Sequence, residues 1–174
     1  MEGFLNPEEV LNQFELRADM IVADFGCGSG GFTVPLAKRL EDGLIHALDV
    51  QEVPLSALKS RAITENITNI RFIRCNLEKP KGSTLSDSFV DLVLIANTLF
   101  QSEDKVAIIS EAERILKSKG KLLVIDWLPG GLQGPVKGRV SPAEIKKIAK
   151  NLKLEFEKEF SAGKYHYGLI FNKP

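Results

Sequence analysis

Short apolar segments that alternate with amphipathic ones are the feature that most limits how this chain can fold. Five such segments lie between residues 20 and 127, and two more lie close together near the C-terminus. Strands that are separated by helices need crossover connections, which are right-handed and make neighbouring strands parallel. The sequence therefore predicts an α/β fold whose mostly parallel sheet is covered by helices on both faces.

Apolar periodicity and turn residues predict the bounds of these elements. Helices are expected to begin at Asn6, as a cap before Pro7, and to cover residues 31–41, 54–64, 103–118 and 141–151. Strands are expected over residues 20–25, 44–50, 70–74, 90–96, 121–127, 152–160 and 165–172. The most apolar strand, 90–96, should be central, and the last strand follows a short turn, so it should run antiparallel to its partner.

Length and composition indicate one globular domain. The chain has 174 residues, of which 44% are hydrophobic and 26% are charged, and these values are ordinary for such a domain. Its 23 basic and 23 acidic residues give a formal net charge of zero, whereas a nucleic-acid-binding protein needs a basic excess to neutralise phosphates. Nucleic acid is therefore not the expected partner.

Three other features of the sequence, namely its cysteines, its histidines and its hydropathy, argue against disulfide-rich, metal-binding, secreted and membrane-spanning proteins. Cys27 and Cys75 are too few for a disulfide framework or a four-thiolate zinc site. The two histidines show no metal-ligand spacing, so no metal is expected. The N-terminus does not have the pattern of a signal peptide, and no apolar stretch approaches the ~18 residues that cross a bilayer. We therefore expect a cytoplasmic protein without a membrane span.

A glycine-rich loop joins the first predicted strand to the helix that follows it. Gly26, Gly28 and Gly30 give the pattern G-x-G-x-G, while Gly26, Gly28 and Gly31 give G-x-G-x-x-G, the dinucleotide pattern. Glycines let the backbone approach a ligand closely, and the start of the next helix offers free N–H groups. The spacing alone leaves two classes open: a dinucleotide and another nucleoside-bearing cofactor.

Two aspartates accompany this loop. Asp49 ends the second predicted strand, where a carboxylate can accept hydrogen bonds from both hydroxyls of a ribose. Asp24 precedes the first glycine by two residues and brings a negative charge to the cofactor. This charge suits a cofactor with a cationic part and opposes the anionic pyrophosphate of a dinucleotide.

At these residues the chain resembles the class I S-adenosylmethionine-dependent methyltransferases. VADFGCGSGGFTVPLA is similar to their D-x-G-x-G-x-G loop, HALDV to the strand with the ribose-binding acid, and FIRCNLEKP to the adenine-contacting segment. FVDLVLIANTLFQSEDK and EAERILKSKGKLLVIDW resemble the fourth motif and the helix and strand after it. The resemblance covers residues 18–172 and is nearest to the small-molecule branch (methyltransferase type 11) that includes the ubiquinone/menaquinone C-methyltransferases.

The resemblance implies a fold and a domain organisation. The expected fold is a three-layer Rossmann-like sandwich with a mostly parallel seven-stranded sheet and an antiparallel C-terminal strand. A single methyltransferase domain is expected over residues 1–174. Residues 1–19 are expected to form an N-terminal helix or lid, and residues 128–141 a mobile loop.

The resemblance also implies that S-adenosylmethionine is the cofactor and which residues bind it. The methionine part would be lined by Asp24, Gly26, Gly28 and Gly30, and Asn97 would lie beside the methionyl end and the substrate. The ribose would be held by Asp49. The adenine would be flanked by Val50 and Gln51, its amino group would be contacted by Asn76 (where the family more often has Asp), and Leu77 would pack near its ring.

The methyl acceptor is less well defined by the sequence. Methyl transfer from a sulfonium needs mainly positioning and desolvation, so a catalytic triad is not required. Candidates for catalysis or for the acceptor pocket are Asn97, Gln101, Asp126, Trp127, Tyr165 and His166.

We expect a small-molecule or lipid-like acceptor. Three alternatives remain open: a protein acceptor, a non-catalytic module that only binds the cofactor, and a nicotinamide-dependent oxidoreductase. Lys137 and Arg139 lie in the glycine-rich segment 128–141, where they are expected to be solvated rather than to form a nucleic-acid-binding patch. The oligomeric state stays open.

Overall fold

A computed structural model describes residues 4–174, in which one seven-stranded sheet forms the centre of the molecule. The strands are β1 (Ile21–Phe25), β2 (Leu44–Asp49), β3 (Ile70–Arg74), β4 (Val90–Ala96), β5 (Leu116–Trp127), β6 (Glu155–Ser161) and β7 (His166–Asn172). Their order across the sheet is β3-β2-β1-β4-β5-β7-β6. The first five are parallel to their neighbours, while β7 is antiparallel to both β5 and β6. The predicted sheet, with its central fourth strand, is confirmed.

Helices cover both faces of this sheet. They are α1 (Pro7–Leu11), α2 (Thr33–Arg39), α3 (Glu52–Thr64), α4 (Lys105–Ile115) and α5 (Pro142–Asn151), with a 3-10 turn at Leu99–Gln101. The first three pack on one face in a core with β-strand residues such as Leu94, and the last two pack on the other face with residues such as Ile95. Alternate residues of β4 therefore enter different cores, and the three-layer Rossmann-like sandwich is confirmed.

The bounds of α4 and β5 differ from the prediction. The helix begins at Lys105 because the Asp104 side chain caps it, accepting a hydrogen bond from the Ala107 N–H at 2.9 Å. The chain then turns directly into β5 at Leu116, which has an extended conformation and pairs with Val90. Leu116 is apolar and buried in either arrangement, so its hydrophobicity extended the predicted helix to residue 118.

The start of β6 also lies later than predicted. Leu152 forms the end of α5, donating its N–H to the carbonyls of Ile148 and Ala149. Lys153 then adopts a left-handed conformation with φ of 62°, which turns the chain before the strand begins. The composition of residues 152–154 predicts a strand, whereas their N–H groups donate to carbonyls of α5 and complete the helix.

Exposed charges mark the two open edges of the sheet. Arg71 and Arg74 are exposed on β3, and Glu155, Glu157 and Glu159 are exposed on β6. None of the helices within residues 4–174 has both the length and the apolar character needed to cross a bilayer.

A buried ion pair fixes the connection between β3 and β4 to α4. Glu111 is 5% exposed and accepts hydrogen bonds from the N–H and the hydroxyl of Ser83 at 2.9 and 2.5 Å. Arg114 donates to Glu111 at 2.7 Å and to the Leu85 carbonyl at 2.9 Å, and it also contacts Asp87. Burial alone would raise the pKa of Glu111, but the hydrogen bonds from Arg114 and Ser83 outweigh it and lower that pKa.

Replacing Arg114 with alanine is expected to lower the free energy of unfolding by about 3 kcal/mol, because the carboxylate of Glu111 would stay buried without its partner. Urea denaturation measures this change. Arg74→Ala is the matched control, since Arg74 pairs with Glu52 while both side chains are more than 60% exposed, and such pairs contribute little. Equal losses in the two variants would contradict the role assigned to the buried pair.

Candidate cofactor site

The glycine loop is attached to the end of β2. The N–H groups of Gly26 and Cys27 both donate to the Leu48 carbonyl, at 2.8 and 3.0 Å. Gly26 and Gly28 have left-handed φ angles of 71° and 53°, which favour glycine. A side chain at Gly26 would stand 2.2 Å from the Thr98 hydroxyl, so the end of β4 also requires glycine there.

Gly28 faces open space. Apart from its chain neighbours, no atom of the described chain lies within 4 Å of the place where its Cβ would be. Its N–H donates to Asp49 Oδ2 at 2.9 Å, and the other oxygen of Asp49 accepts from the Gln51 N–H at 2.9 Å. The carboxylate of Asp49 therefore holds the loop and the start of α3 together at the rim of a cleft.

This cleft contains a cavity of about 670 Å³, within the usual range for a site that binds a small molecule. It lies at the carboxyl ends of β1, β2 and β4, as ligand sites in such sheets do. The residues singled out from the sequence that line it are Gly26, Gly28, Asp49, Val50, Gln51, Cys75, Asn76, Leu77, Asn97 and Gln101. The Asn76 side-chain oxygen accepts from the Glu78 N–H at 2.9 Å, which orients the segment after β3.

A second cavity of about 280 Å³ adjoins the first. The two cavities share Gly26, Ala96 and Asn97. Asp24 and Cys27 also line the smaller one. Its remaining wall is formed by Gly31 and Phe32 at the start of α2 and by Leu5 and Pro7 of the N-terminal segment.

The carboxyl group of Asp24 lines the smaller cavity and is almost inaccessible to solvent. It is 2% exposed and accepts a hydrogen bond from the Thr33 hydroxyl at 2.6 Å. Burial raises its pKa from 3.8 to about 7, and nearby Asp49 contributes in the same direction. Among residues 4–174 no basic side chain forms an ion pair with Asp24, so the cavity favours a cation.

Asn97 lies in the wall shared by both cavities. It follows β4 in a left-handed conformation with φ of 53°. Its side-chain oxygen is buried and has no hydrogen-bond partner in the described part of the chain. A buried acceptor without a partner costs free energy, which a donor group on a ligand would recover.

The two cysteines are protonated at neutral pH. Burial raises the pKa of the Cys27 thiol far above its ordinary value, and it raises that of Cys75 to about 11. Since the thiolate is the nucleophilic form, these residues shape the cavity walls rather than react.

Five of the cofactor-site and acceptor-pocket candidates from the sequence do not line either cavity: Gly30, Asp126, Trp127, Tyr165 and His166. Gly30 has a φ of 89°, and a side chain there would stand 2.2 Å from Cδ1 of Leu58, so it permits α3 to pack. Asp126 is buried on the opposite face of the sheet and accepts hydrogen bonds from the N–H groups of Phe100 and Trp127, at 3.2 and 2.8 Å. His166 is fully buried at the start of β7, where it pairs with Trp127 of β5.

Burial raises the pKa of Asp126 to about 6. Its oxygens are occupied by the backbone at the end of β4 and β5, so its geometry is that of a residue that shapes the turn after β4. Arg139, in turn, donates to the carbonyls of Leu128 and Pro135, each at 2.7 Å. It organises the segment 128–141 from within and presents no free basic patch.

Sequence reasoning missed several residues that the structure brings to the site. Leu5, Pro7, Phe32, Thr33 and Thr98 each line a cavity or contact a residue that does. Phe32 and Thr33 directly follow the glycine loop, which is a signal that was available. Leu5 and Pro7 come from a segment distant in sequence, whose place over the cleft is set by the packing of α1.

Comparison with known proteins identifies the family. The model of a family described as a methyltransferase domain matches residues 16–169. A crystal structure of an S-adenosylmethionine-dependent methyltransferase from Aquifex aeolicus is 26% identical, with a TM-score of 0.88 over 98% of this chain and 90% of that one. A putative type 11 methyltransferase from Sulfolobus solfataricus is 29% identical, with a TM-score of 0.74 over 99% and 95% of the two chains.

Among curated relatives, the ubiquinone/menaquinone biosynthesis C-methyltransferase of Paraburkholderia phymatum is 29% identical over 66% of this chain and 46% of that enzyme. The chain spans less than half the length of this enzyme and of other curated relatives it matches. The chain belongs to the methyltransferase domain family, and its fold places it in the class I S-adenosylmethionine-dependent methyltransferases. The resemblance inferred from the motifs is confirmed, and S-adenosylmethionine is the cofactor of this class.

Gly30 and Gly31 provide a matched test of the packing around the loop. Gly30→Ala is expected to lower the free energy of unfolding by about 1–3 kcal/mol, because its Cβ meets Leu58 and its φ is left-handed. Gly31→Ala is expected to have little effect, because its added carbon has no atom of residues 4–174 within 4 Å apart from Gly31 itself and its chain neighbours. Thermal unfolding of both variants measures the difference, and the reverse order would contradict the packing described for Gly30.

Proposed function

We propose that this protein transfers the methyl group of S-adenosylmethionine to a small-molecule acceptor. The observation that carries the proposal is the pair of joined cavities, which have one aspartate in each and a partnerless amide oxygen between them. The larger cavity would take the adenosyl part, with Asp49 at the ribose and Val50, Gln51, Asn76 and Leu77 around the adenine. The smaller cavity would take the methionine part.

The residues present fit this cofactor. Gly28 leaves open space beside its backbone, so a ligand can approach the loop closely. Asp24 is a buried carboxyl without a basic partner among residues 4–174, and an ammonium group would supply that partner. Asn97 offers a buried oxygen that lacks a donor. These groups suit a cationic amino-acid end, whereas the charge of Asp24 opposes a pyrophosphate.

The chain contributes binding, orientation and exclusion of water rather than a covalent intermediate. When bound, S-adenosylmethionine supplies a methyl group on a sulfonium, whose sulfur keeps the electron pair as the bond to carbon breaks. Holding donor and acceptor in line supplies up to ~7–11 kcal/mol of the barrier reduction. The apolar wall of Leu5, Pro7 and Phe32 limits water near the smaller cavity, which favours such a transfer.

A small molecule is the acceptor that the N-terminal segment favours. Leu5 and Pro7 form one wall of the smaller cavity, so they narrow the space beside the methionine end, which favours a small acceptor over a folded protein surface. The C-methyltransferase relative is named for quinone biosynthesis, which supports an acceptor of this size.

Transfer of labelled methyl groups tests the function. With S-[methyl-³H]adenosylmethionine and a cell extract divided into small molecules, lipids and protein, label is expected in the small-molecule or lipid fraction. Label in protein alone would indicate a protein acceptor. Binding of S-adenosylhomocysteine without labelling of any fraction would indicate a non-catalytic module, and binding of NAD instead would indicate an oxidoreductase.

Asp49→Ala tests the assignment of the larger cavity by its affinity for S-adenosylhomocysteine, and Asp19→Asn is the matched control. The variant loses the carboxylate that would accept from the ribose hydroxyls and that also accepts from the Gly28 N–H. Its affinity for S-adenosylhomocysteine is expected to fall about tenfold or more, since a hydrogen bond to a charged group contributes ~1.5–3 kcal/mol. Asp19→Asn changes an exposed carboxylate outside the cleft and should leave affinity unchanged. Undiminished binding by Asp49→Ala would contradict the assignment of the larger cavity.

The raised pKa of Asp24 predicts that cofactor binding depends on pH. A bound ammonium group favours the ionised carboxylate, so binding below pH 7 must release the proton that Asp24 holds. Affinity for S-adenosylhomocysteine should therefore rise with pH and be roughly tenfold weaker at pH 6 than at pH 8. Calorimetry in buffers of different ionisation enthalpy measures both the affinity and the released proton.

The variant Asp24→Asn should bind S-adenosylhomocysteine more weakly at pH 8 and lose most of this pH dependence, because the amide does not titrate. Asp19→Asn should keep the pH profile of the wild type. The assignment of Asp24 is wrong if Asp24→Asn retains the full pH dependence.

A further inference from the structure

Four rings meet at the carboxyl end of β5, beside the cavity assigned to the methionine part. Trp127 and His166 pair across β5 and β7, and their ring centroids are 4.1 Å apart. The Phe4 ring lies over both, with its centroid 5.5 Å from Trp127 and 5.7 Å from His166. Tyr165 lies 5.5 Å from Phe4 on the outer side. We call these four residues the aromatic cluster.

The aromatic cluster lies close to the place where the methyl group would be. Ala96 lines both cavities and pairs with Ile125 of β5. Trp127 is two residues beyond Ile125, so its side chain stands on the same face of the sheet as Ala96, one strand away. The N-terminal segment covers both places, because Leu5 lines the smaller cavity while the neighbouring Phe4 covers the aromatic cluster.

Buried polar atoms of this cluster lack hydrogen bonds. Trp127 is 8% exposed and His166 is fully buried. The indole Nε1 of Trp127 has no hydrogen-bond partner among residues 4–174. The Phe4 backbone is close enough to act on the His166 ring as a hydrogen-bond partner, but neither ring nitrogen forms a hydrogen bond of good geometry within the same residues. Burial lowers the pKa of His166, so its ring is neutral and offers one donor and one acceptor. Leaving such groups unpaired is costly.

Within the aromatic cluster, the Trp127 ring is held more firmly than the Phe4 ring that covers it. Gly134 packs against the outer side of Trp127, where a Cβ would stand 2.3 Å from two ring carbons. Arg139 lies 5.9 Å over the same ring while its hydrogen bonds fix the surrounding segment. Phe4, by contrast, is 55% exposed and provides no hydrogen bond from its side chain.

We propose that Trp127, Tyr165 and His166 form the acceptor subsite, which takes a planar ring bearing a hydrogen-bond-accepting oxygen and which Phe4 covers until that ring enters. The proposal rests on the proposed methyltransferase function and names its acceptor class. The incoming ring would take the place of the Phe4 ring, which contacts Trp127 and His166 edge-to-face, and its oxygen would accept from the Trp127 N–H. A saturated ring would lose these aromatic contacts, and an unsubstituted one would leave the N–H unpaired.

The single tryptophan of the chain gives a direct test. In ¹⁵N-labelled protein saturated with S-adenosylhomocysteine, the one indole N–H resonance reports on the subsite. Three probes separate the two requirements: 2-naphthol is planar with an oxygen, naphthalene is planar without one, and decahydro-2-naphthol has the oxygen without the planar ring. We expect 2-naphthol to shift the indole resonance saturably and the other two to bind at least several-fold more weakly.

Variants test the cover and the donor. Phe4→Ala should strengthen 2-naphthol binding about threefold or more, because the competing covered state is removed. Phe156→Ala is the matched control, since it removes an exposed phenylalanine from β6, outside the aromatic cluster. Trp127→Phe keeps a ring but removes the N–H, and it should weaken 2-naphthol binding about tenfold, measured from the ligand resonances, while binding of S-adenosylhomocysteine is retained.

Two results would overturn the subsite. One is the absence of an indole shift with 2-naphthol in both the wild type and Phe4→Ala, although S-adenosylhomocysteine binds. The other is equal binding of 2-naphthol and naphthalene. Failure of S-adenosylhomocysteine to bind the wild type would instead contradict the proposed function, so the two failures are distinguishable.

Discussion

The attachment of the glycine loop to the end of β2 is the interaction on which the geometry of the cleft depends. Three successive N–H groups, from Gly26 to Gly28, are held by the Leu48 carbonyl and the Asp49 carboxylate. Parallel pairing of β1 with β2 brings these groups together. The same bonds fix the loop in its left-handed turns and fix Asp49 at the rim. One set of hydrogen bonds thus positions both the backbone that would meet the methionine part and the acid that would meet the ribose.

The cleft keeps groups whose preferred partners the described chain does not supply. Asp24 is buried without a basic residue, and Asn97 holds an oxygen without a donor. Since a carboxyl whose pKa is raised in the folded state is more easily ionised when unfolded, Asp24 reduces the free energy of unfolding as the pH rises from about 4 to 7. The sheet and its two cores tolerate this cost, and a cationic ligand would remove it.

Much of the fold could be predicted from the sequence because its signals are local. The β3 and β4 strands are predicted to the residue, and the caps at Asn6 and Ser141 form as their residue types indicate. The predicted helix end at residue 118 and strand start at residue 121 were wrong, because burial alone does not distinguish a helical turn from the first residue of a strand, which is Leu116. Only its pairing with Val90 decides this, and pairing is a property of the tertiary structure.

The site shows the same division between local and non-local information. Asp24, Gly26, Gly28 and Asp49 belong to short motifs, and the structure brings them to one cleft. Gly30 has the same residue type and regular spacing, yet it faces Leu58, since the sequence pattern does not record which side of the loop a glycine presents.

The N-terminal contributions to the site were least accessible to sequence analysis. The segment before α1 carries no cofactor motif, and its place over the cleft follows from the packing of α1 on the sheet. A helix or lid is expected over residues 1–19 from the sequence, but that Leu5 and Pro7 are the ones that line the cleft follows only from the tertiary structure.

The charged edges of the sheet also affect how copies of the protein meet. An open edge strand offers unpaired backbone groups to any other strand, which is a general route to aggregation. On β6, Glu155, Glu157 and Glu159 are exposed, and Glu157 and Glu159 form ion pairs with Lys121 and Lys146. A second strand that paired with this edge would have to remove water from these charged groups, and burying charged groups costs free energy. The charges of β6 thus oppose edge-to-edge pairing while the sheet itself stays open at this end.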